Sequence, residues 1–181
     1  MRLLLIAAFE DAITQIRAEE ARIPLDRWNE SVFRFFYSRA ITTLEPDVTQ
    51  LVECDRIDLV LHRGSERAFI EFKFYTHSIR HDPITGERTG MKGFPGPKNC
   101  LEFKECVETL RQRPISPEGL KVVGLFYADP LAPAHKTYEE CYGDGSGIED
   151  ELKISRLVSI GPFRSHDLQN TCNARLYEVG S

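Results

Sequence analysis

Apolar positions recur along this chain in two rhythms, and the switch between them divides it into elements. Ile6, Phe9, Ile13 and Ile16 repeat at helical spacing, which predicts an amphipathic helix over about residues 3–22. Pro24 interrupts it, and Asp26 is placed to cap a second helix over about 27–44. Trp28, Val32, Phe35 and Phe36 fall on one side of that helix and Phe33, Tyr37 and Ile41 on another. A helix apolar around so much of its girth is expected to lie buried against a sheet.

After Pro46-Asp47 the rhythm shortens to two. Strands are predicted over 48–52, 56–62 and 68–75, the last two joined through Arg63-Gly64-Ser65-Glu66, a hairpin-loop composition. Residues 77–98 hold four glycines and three prolines with little periodicity and read as a long loop. Asn99 is then expected to cap a third helix to about 112, with Leu101, Val107 and Leu110 in its apolar set. Residues 120–127 form an almost continuous apolar run, which predicts a central strand covered on both faces. A short helix near 135–141, a loop over 143–147 and strands near 152–160 and 174–179 complete the chain. The order predicts one α/β domain over 1–181, a mixed central sheet flanked by helices.

Composition narrows the class. With 181 residues, 41% hydrophobic and 28% charged, the chain suits one soluble domain. No stretch approaches the ~20 apolar residues that span a bilayer, so no membrane is expected. The apolar run over 3–9 is too short for a secretory signal and runs straight into Glu10 and Asp11. Five cysteines, without a C-x-x-C pair, exclude a complete disulfide framework and point to a reducing cytoplasm. The net charge of -5 argues mildly against a nucleic-acid partner, yet residues 72–113 carry eight Lys/Arg against five Asp/Glu. An acidic protein can hold one basic strip.

Strand parity supplies the candidate chemistry. Glu71 and Lys73 share one face of their strand, while Ile70, Phe72 and Phe74 take the other into the core. On the preceding strand Asp58 sits opposite Ile57, Leu59 and Leu61. Carboxylates in so apolar a setting need a basic partner or a shared cation. Two carboxylates and an ammonium on one point suit Mg²⁺-assisted phosphodiester hydrolysis, with Mn²⁺ as a substitute: the carboxylates hold a hard cation and the lysine orients water or offsets developing charge.

Here the sequence resembles the PD-(D/E)XK nuclease superfamily, whose signature is an Asp near the start of one strand and (D/E)-x-K on the next. The matching residues are Arg56-Ile57-Asp58-Leu59-Val60-Leu61 and Phe69-Ile70-Glu71-Phe72-Lys73-Phe74, and the resemblance spans about 26–127. It departs in having Ile57 where the signature has proline. The resemblance implies a restriction-endonuclease-like core and an active endonuclease. Asp58, Glu71 and the Phe72 carbonyl would be metal ligands, and Lys73 the catalytic lysine. It also implies a carboxylate from the preceding helix, a part that Glu30 fits, since 30, 33, 37 and 41 share a helical face.

Two other E-x-K triplets are weaker. Glu102-Phe103-Lys104 falls on the third helix, where residues two apart do not share a face, and Glu151-Leu152-Lys153 falls at a strand edge after an acidic turn. His77 with His81, Cys100 with Cys106, and the glycine-rich 90–98 lack metal-ligand or phosphate-loop spacing. Lys98, Lys104, Arg80 and Lys92 are the candidates for contacting nucleic acid, DNA ahead of RNA. Restriction, repair and phage-defence nucleases are the nearest in kind. Against this stands a purely structural salt-bridge cluster, and with it a non-catalytic interaction protein, an immunity or accessory subunit on the same scaffold. A protein partner or a homodimer stays open.

Overall fold

The computed structural model describes residues 1–23, 25–82, 84–93, 95–131, 133, 136–166 and 169–180, leaving aside the side chains of 26, 78–81, 91 and 92. Helix α1 (Arg2–Glu19) buries Leu5, Ala8, Phe9, Ala12, Ile13 and Ile16 along one stripe. A 3-10 turn (Leu25–Arg27) and the buried Trp28 separate it from α2 (Glu30–Leu44). The second helix therefore starts later than the sequence suggests, and its cap is Asn29, whose side chain accepts the Val32 N–H at 3.1 Å. Trp28 lies outside the helix, stacked on Phe36 with its indole N–H donated to the Ile23 carbonyl. Phe33, Phe36, Tyr37, Ala40 and Ile41 face inward, whereas Phe35 is 59% exposed.

The strands are β1 (Thr49–Cys54), β2 (Ile57–Arg63), β3 (Glu66–Thr76), β4 (Ser78–His81), β5 (Arg88–Lys92), β6 (Leu120–Pro130), β7 (Ile154–Arg164) and β8 (Asn170–Val179). Six of them form one mixed sheet in the order β1-β2-β3-β6-β8-β7. Only the β3–β6 pairing is parallel, bridged by α3 (Pro97–Gln112); the others are antiparallel. The apolar β6 sits in the middle, as its composition predicts.

Helices α1 and α2 cover one face of the sheet. Phe33 stands at the centre of that layer, edge-on to Phe9 and Phe72 at 5.8 and 5.1 Å between ring centroids. Truncating such a fully buried ring costs on the order of 3–5 kcal/mol, so this contact fixes α2 over β3. The opposite face packs Tyr75, Val123, Leu125, Tyr127 and Tyr177 under α3 and two short helices, α4 (Tyr138–Tyr142) and α5 (Ile148–Leu152).

Several expectations are corrected. Residues 77–98 are not one loop: β4 and β5 pair as a hairpin whose turn is held by Asp82, its carboxylate accepting the Ile84 and Thr85 N–H groups at 2.8 Å. Helix α3 begins at Pro97 behind Gly96, not at Asn99, and it buries Phe103 with Val107 and Leu110 while Leu101 stays exposed. Pro97 needs no N–H partner in the first turn. The triplet Glu151-Leu152-Lys153 ends helix α5 rather than edging a strand. No helix among the described residues is long and apolar enough to cross a membrane. No disulfide forms among them.

A candidate active site at the open edge of strand β3

The site opens where the β2–β3 ladder stops, two residues short of the start of β2. Strand β3 has 11 residues and β2 has 7, and their ladder ends at Leu59↔Ile70. Beyond Ile70, β3 stays paired to β6 on one side and has no β2 partner on the other. The Asp58 side chain fills the first vacant place, accepting the Phe72 N–H at 2.8 Å on Oδ2. A strand residue sends its N–H and carbonyl to the same side, so the Phe72 carbonyl also leaves on this open edge.

Glu71 and Lys73 flank Phe72 and are half-buried, as parity requires, while Phe72 and Phe74 join the core under α2. Because no strand closes the edge, α2 reaches the same point from the opposite layer. Lys73 Nζ lies 3.2 Å from Glu30 Oε1 in the first turn of α2. The structure thus brings together Asp58, Glu71, Lys73 and Glu30.

It adds Arg34, one turn after Glu30, which sequence reading missed. Its guanidinium, 14% exposed, pairs with Asp58 Oδ1 at 3.1 Å and with Glu53 Oε1 at 2.7 Å. The four-residue spacing from Glu30 was the available signal. Helix α3 closes the cluster from the other layer: the Cys106 thiol, pushed up to about 12 by burial, feels the charges of Lys73, Glu71, Asp58 and Glu30. Glu102, one turn earlier on that helix, acts on Glu30.

Electrostatics show strain between like charges. Burial, then the charge of Asp58 and a side-chain hydrogen bond with it, push the Glu71 carboxyl up to about 8. At neutral pH Glu71 therefore keeps its proton and donates it toward Asp58. Burial also raises Glu30, outweighing the pull of Lys73. Burial works against the charge of Lys73, but Glu30 and the neighbouring acidic groups raise it above an ordinary lysine.

Four carboxylates (Glu30, Glu53, Asp58, Glu71) thus face two cations (Arg34, Lys73), and a proton on Glu71 carries part of the excess. A divalent ion fits this donor chemistry: hard oxygen atoms, half-buried, one of them held protonated for want of positive charge. Asp58, Glu71 and the Phe72 carbonyl would hold it. Among the described residues no three acidic, His or Cys side chains are already gathered around a single point, since Asp58 turns to Arg34 and Glu30 to Lys73.

The nucleic-acid candidates are scattered. Lys104 pairs with Glu151 on α5, on the side of α3 turned from the site. Lys98 is exposed at the start of α3, one turn before Glu102 and on its face. The side chains of Arg80 and Lys92 lie outside the described residues. Compared with known families, curated proteins and solved structures, the chain matches none.

Proposed function

We propose that this chain is a metal-dependent nuclease of the PD-(D/E)XK type, built on a restriction-endonuclease-like core and cleaving phosphodiester bonds, DNA ahead of RNA. One observation carries the reading: Asp58, Glu71 and Lys73 meet at the edge where β2 leaves β3, with Glu30 delivered to the same point from α2. Function is argued from this site rather than from the sheet architecture, which many activities share.

A bound Mg²⁺ or Mn²⁺ would polarise a phosphoryl oxygen and lower the pKa of an attacking water. This chain's own residues do the rest. Asp58 and Glu71 give up their shared proton to become a paired anionic site. Lys73, kept charged by Glu30, stands where an ammonium can orient the water or offset charge on the phosphate. Arg34 holds Asp58 in place through one of its oxygens, and the aromatic layer beneath Phe72 and Phe74 keeps β3 rigid.

A second reading, a non-catalytic interaction protein on the same scaffold, draws on the two internal ion pairs, since Arg34 and Lys73 already give Asp58 and Glu30 partners. Cleavage of single- and double-stranded DNA and RNA, titrated with Mg²⁺, Mn²⁺ and Ca²⁺, separates the two. Hydrolysis in Mg²⁺ or Mn²⁺, lost in chelator and absent in Ca²⁺, supports the nuclease. No hydrolysis of any substrate with any of these metals retires it.

A further inference from the structure

On the sheet face that carries Glu71, the β2–β3 ladder continues from the catalytic cluster as the cross-strand pairs Val60↔Phe69 and His62↔Arg67. A cavity of about 300 Å³ lies over these pairs. Its floor is apolar: Ile57 and Val60 are buried yet belong to neither hydrophobic core, and Phe69 is half-buried beside them. Its rim carries Arg67 beside His62 on one side, and Arg113, just past α3, beside Asp55 on the other.

These two arginines differ from those of the chain's ion pairs. Arg34, Arg63, Arg111, Arg156 and Arg175 are each paired with a carboxylate. Arg67 instead donates to His62 Nδ1 at 3.2 Å, and Arg113 to the Asp55 backbone carbonyl at 2.7 Å. Among the described residues neither has a carboxylate ion-pair partner, so both guanidiniums are available to an anion beside an apolar slot.

We infer that this cavity seats an unpaired nucleotide of a single-stranded DNA substrate, its phosphates on Arg67 and Arg113 and its base against Phe69 and Val60. The inference rests on the nuclease reading proposed above. The chemistry selects the occupant. Guanidiniums answer phosphate, and an aromatic floor answers a base whose face is exposed, which a duplex withholds. The volume suits one nucleotide rather than a helix. The floor offers a 2′-hydroxyl nothing, and the groups that can bond one, Asp55 and His62, lie at the rim beside the arginines that take the phosphates, which favours DNA.

The test is fluorescence anisotropy of a labelled oligothymidylate about 12 nucleotides long. It is run in Ca²⁺ with strand integrity checked on a gel, beside a duplex and an RNA of the same length. The expected result is single-stranded DNA bound at least tenfold more tightly than duplex. In the variant carrying both Arg67→Ala and Arg113→Ala, affinity falls roughly 10- to 100-fold and the slope of log K against log salt flattens by about 1.4, two phosphate contacts at about 0.7 each. Arg67→Glu, at an exposed position, repeats the test without disturbing the Arg113–Asp55 bond. Equal affinity for duplex, or variants that bind like the parent, overturns the inference. RNA bound as tightly as DNA overturns the assignment to DNA. Single-strand binding that depends on Arg67, with no cleavage in Mg²⁺ or Mn²⁺, retires the nuclease and keeps the groove. Cleavage indifferent to Arg67→Glu does the reverse.

Discussion

Replacing Glu71 by glutamine separates the charge of the cluster from its shape. The folded protein holds the Glu71 proton up to about pH 8, through burial and the adjacent Asp58, whereas an unfolded chain releases it near the ordinary carboxylate value of about 4.3. The folded state therefore binds this proton more tightly. Its contribution to stability is intact below about pH 4 and is lost progressively as pH rises toward 8. Each decade of proton affinity is worth ~1.4 kcal/mol. Discounted for the solvent that still reaches this half-buried group, the loss is on the order of 2–4 kcal/mol. In a domain of this size 1 kcal/mol moves Tm by about 2–4 °C. Between pH 5 and 9 the Glu71→Gln variant should therefore gain on the order of 5–10 °C in Tm relative to the parent. Scanning calorimetry without metal at several pH values measures this directly. Added Mg²⁺ at pH 8 should raise the parent's Tm and leave the variant's nearly unchanged. Parallel Tm–pH curves for the two proteins would refute the crowding of Glu71 against Asp58.

The remaining expectations concern single side chains. Asp58→Ala, Glu71→Ala and Lys73→Ala should each abolish cleavage with the fold retained by circular dichroism, while Lys104→Ala and Lys153→Ala change the rate only a few-fold; a dead Lys153→Ala would mean the wrong triplet. Glu30→Gln should raise the Mg²⁺ concentration for half-maximal cleavage, with partial recovery at saturation, and an unmoved titration retires Glu30 from the site. Asn29→Ala removes the cap of α2 and should cost about 1 kcal/mol in urea unfolding. Arg56 and Asp55 hold φ of 66° and 51° in the β1–β2 turn, where glycine is favoured, so Arg56→Gly should add about 0.5–1 kcal/mol of stability by the same measurement.

How much of this was legible in the sequence depends on what enforces each feature. Strands β2, β3 and β6 were readable because burial on one or both faces writes itself into alternation or into an unbroken apolar run. Parity then fixed Glu71 and Lys73 on one face, opposite Phe72 and Phe74. The β4–β5 hairpin was not readable, since Asp82 and backbone pairing hold it rather than an apolar rhythm. Helix α5 was missed for a similar reason: it is held from outside at both ends, by Arg111 donating to the Leu152 carbonyl and by Arg156 beside Glu149. Glu102 was set aside with its triplet because Lys104 does not share its face. That argument weighed only the pairing of the two side chains, and the face that Glu102 occupies is the one turned to the site, while Lys104 pairs with Glu151.

Arg34 shows why a site's supporting residues are harder to read than its central ones. Asp58 and Glu71 announce themselves as charges in apolar strands, where an unpartnered carboxylate is costly. An arginine on a helix carries no such signature, because most helical arginines face water. Its importance arises only once the ladder between β2 and β3 stops at Leu59↔Ile70. In register Ile57 would come opposite Phe72, but its partner is Cys54 of β1, across the tight turn at Asp55 and Arg56. Asp58 must then satisfy the Phe72 N–H with one oxygen, and Arg34 takes the other. A turn of two left-handed residues thus opens the edge, orients the carboxylate and creates the place for its guanidinium partner. The two-residue turn is therefore as much a determinant of the site as the acidic residues themselves.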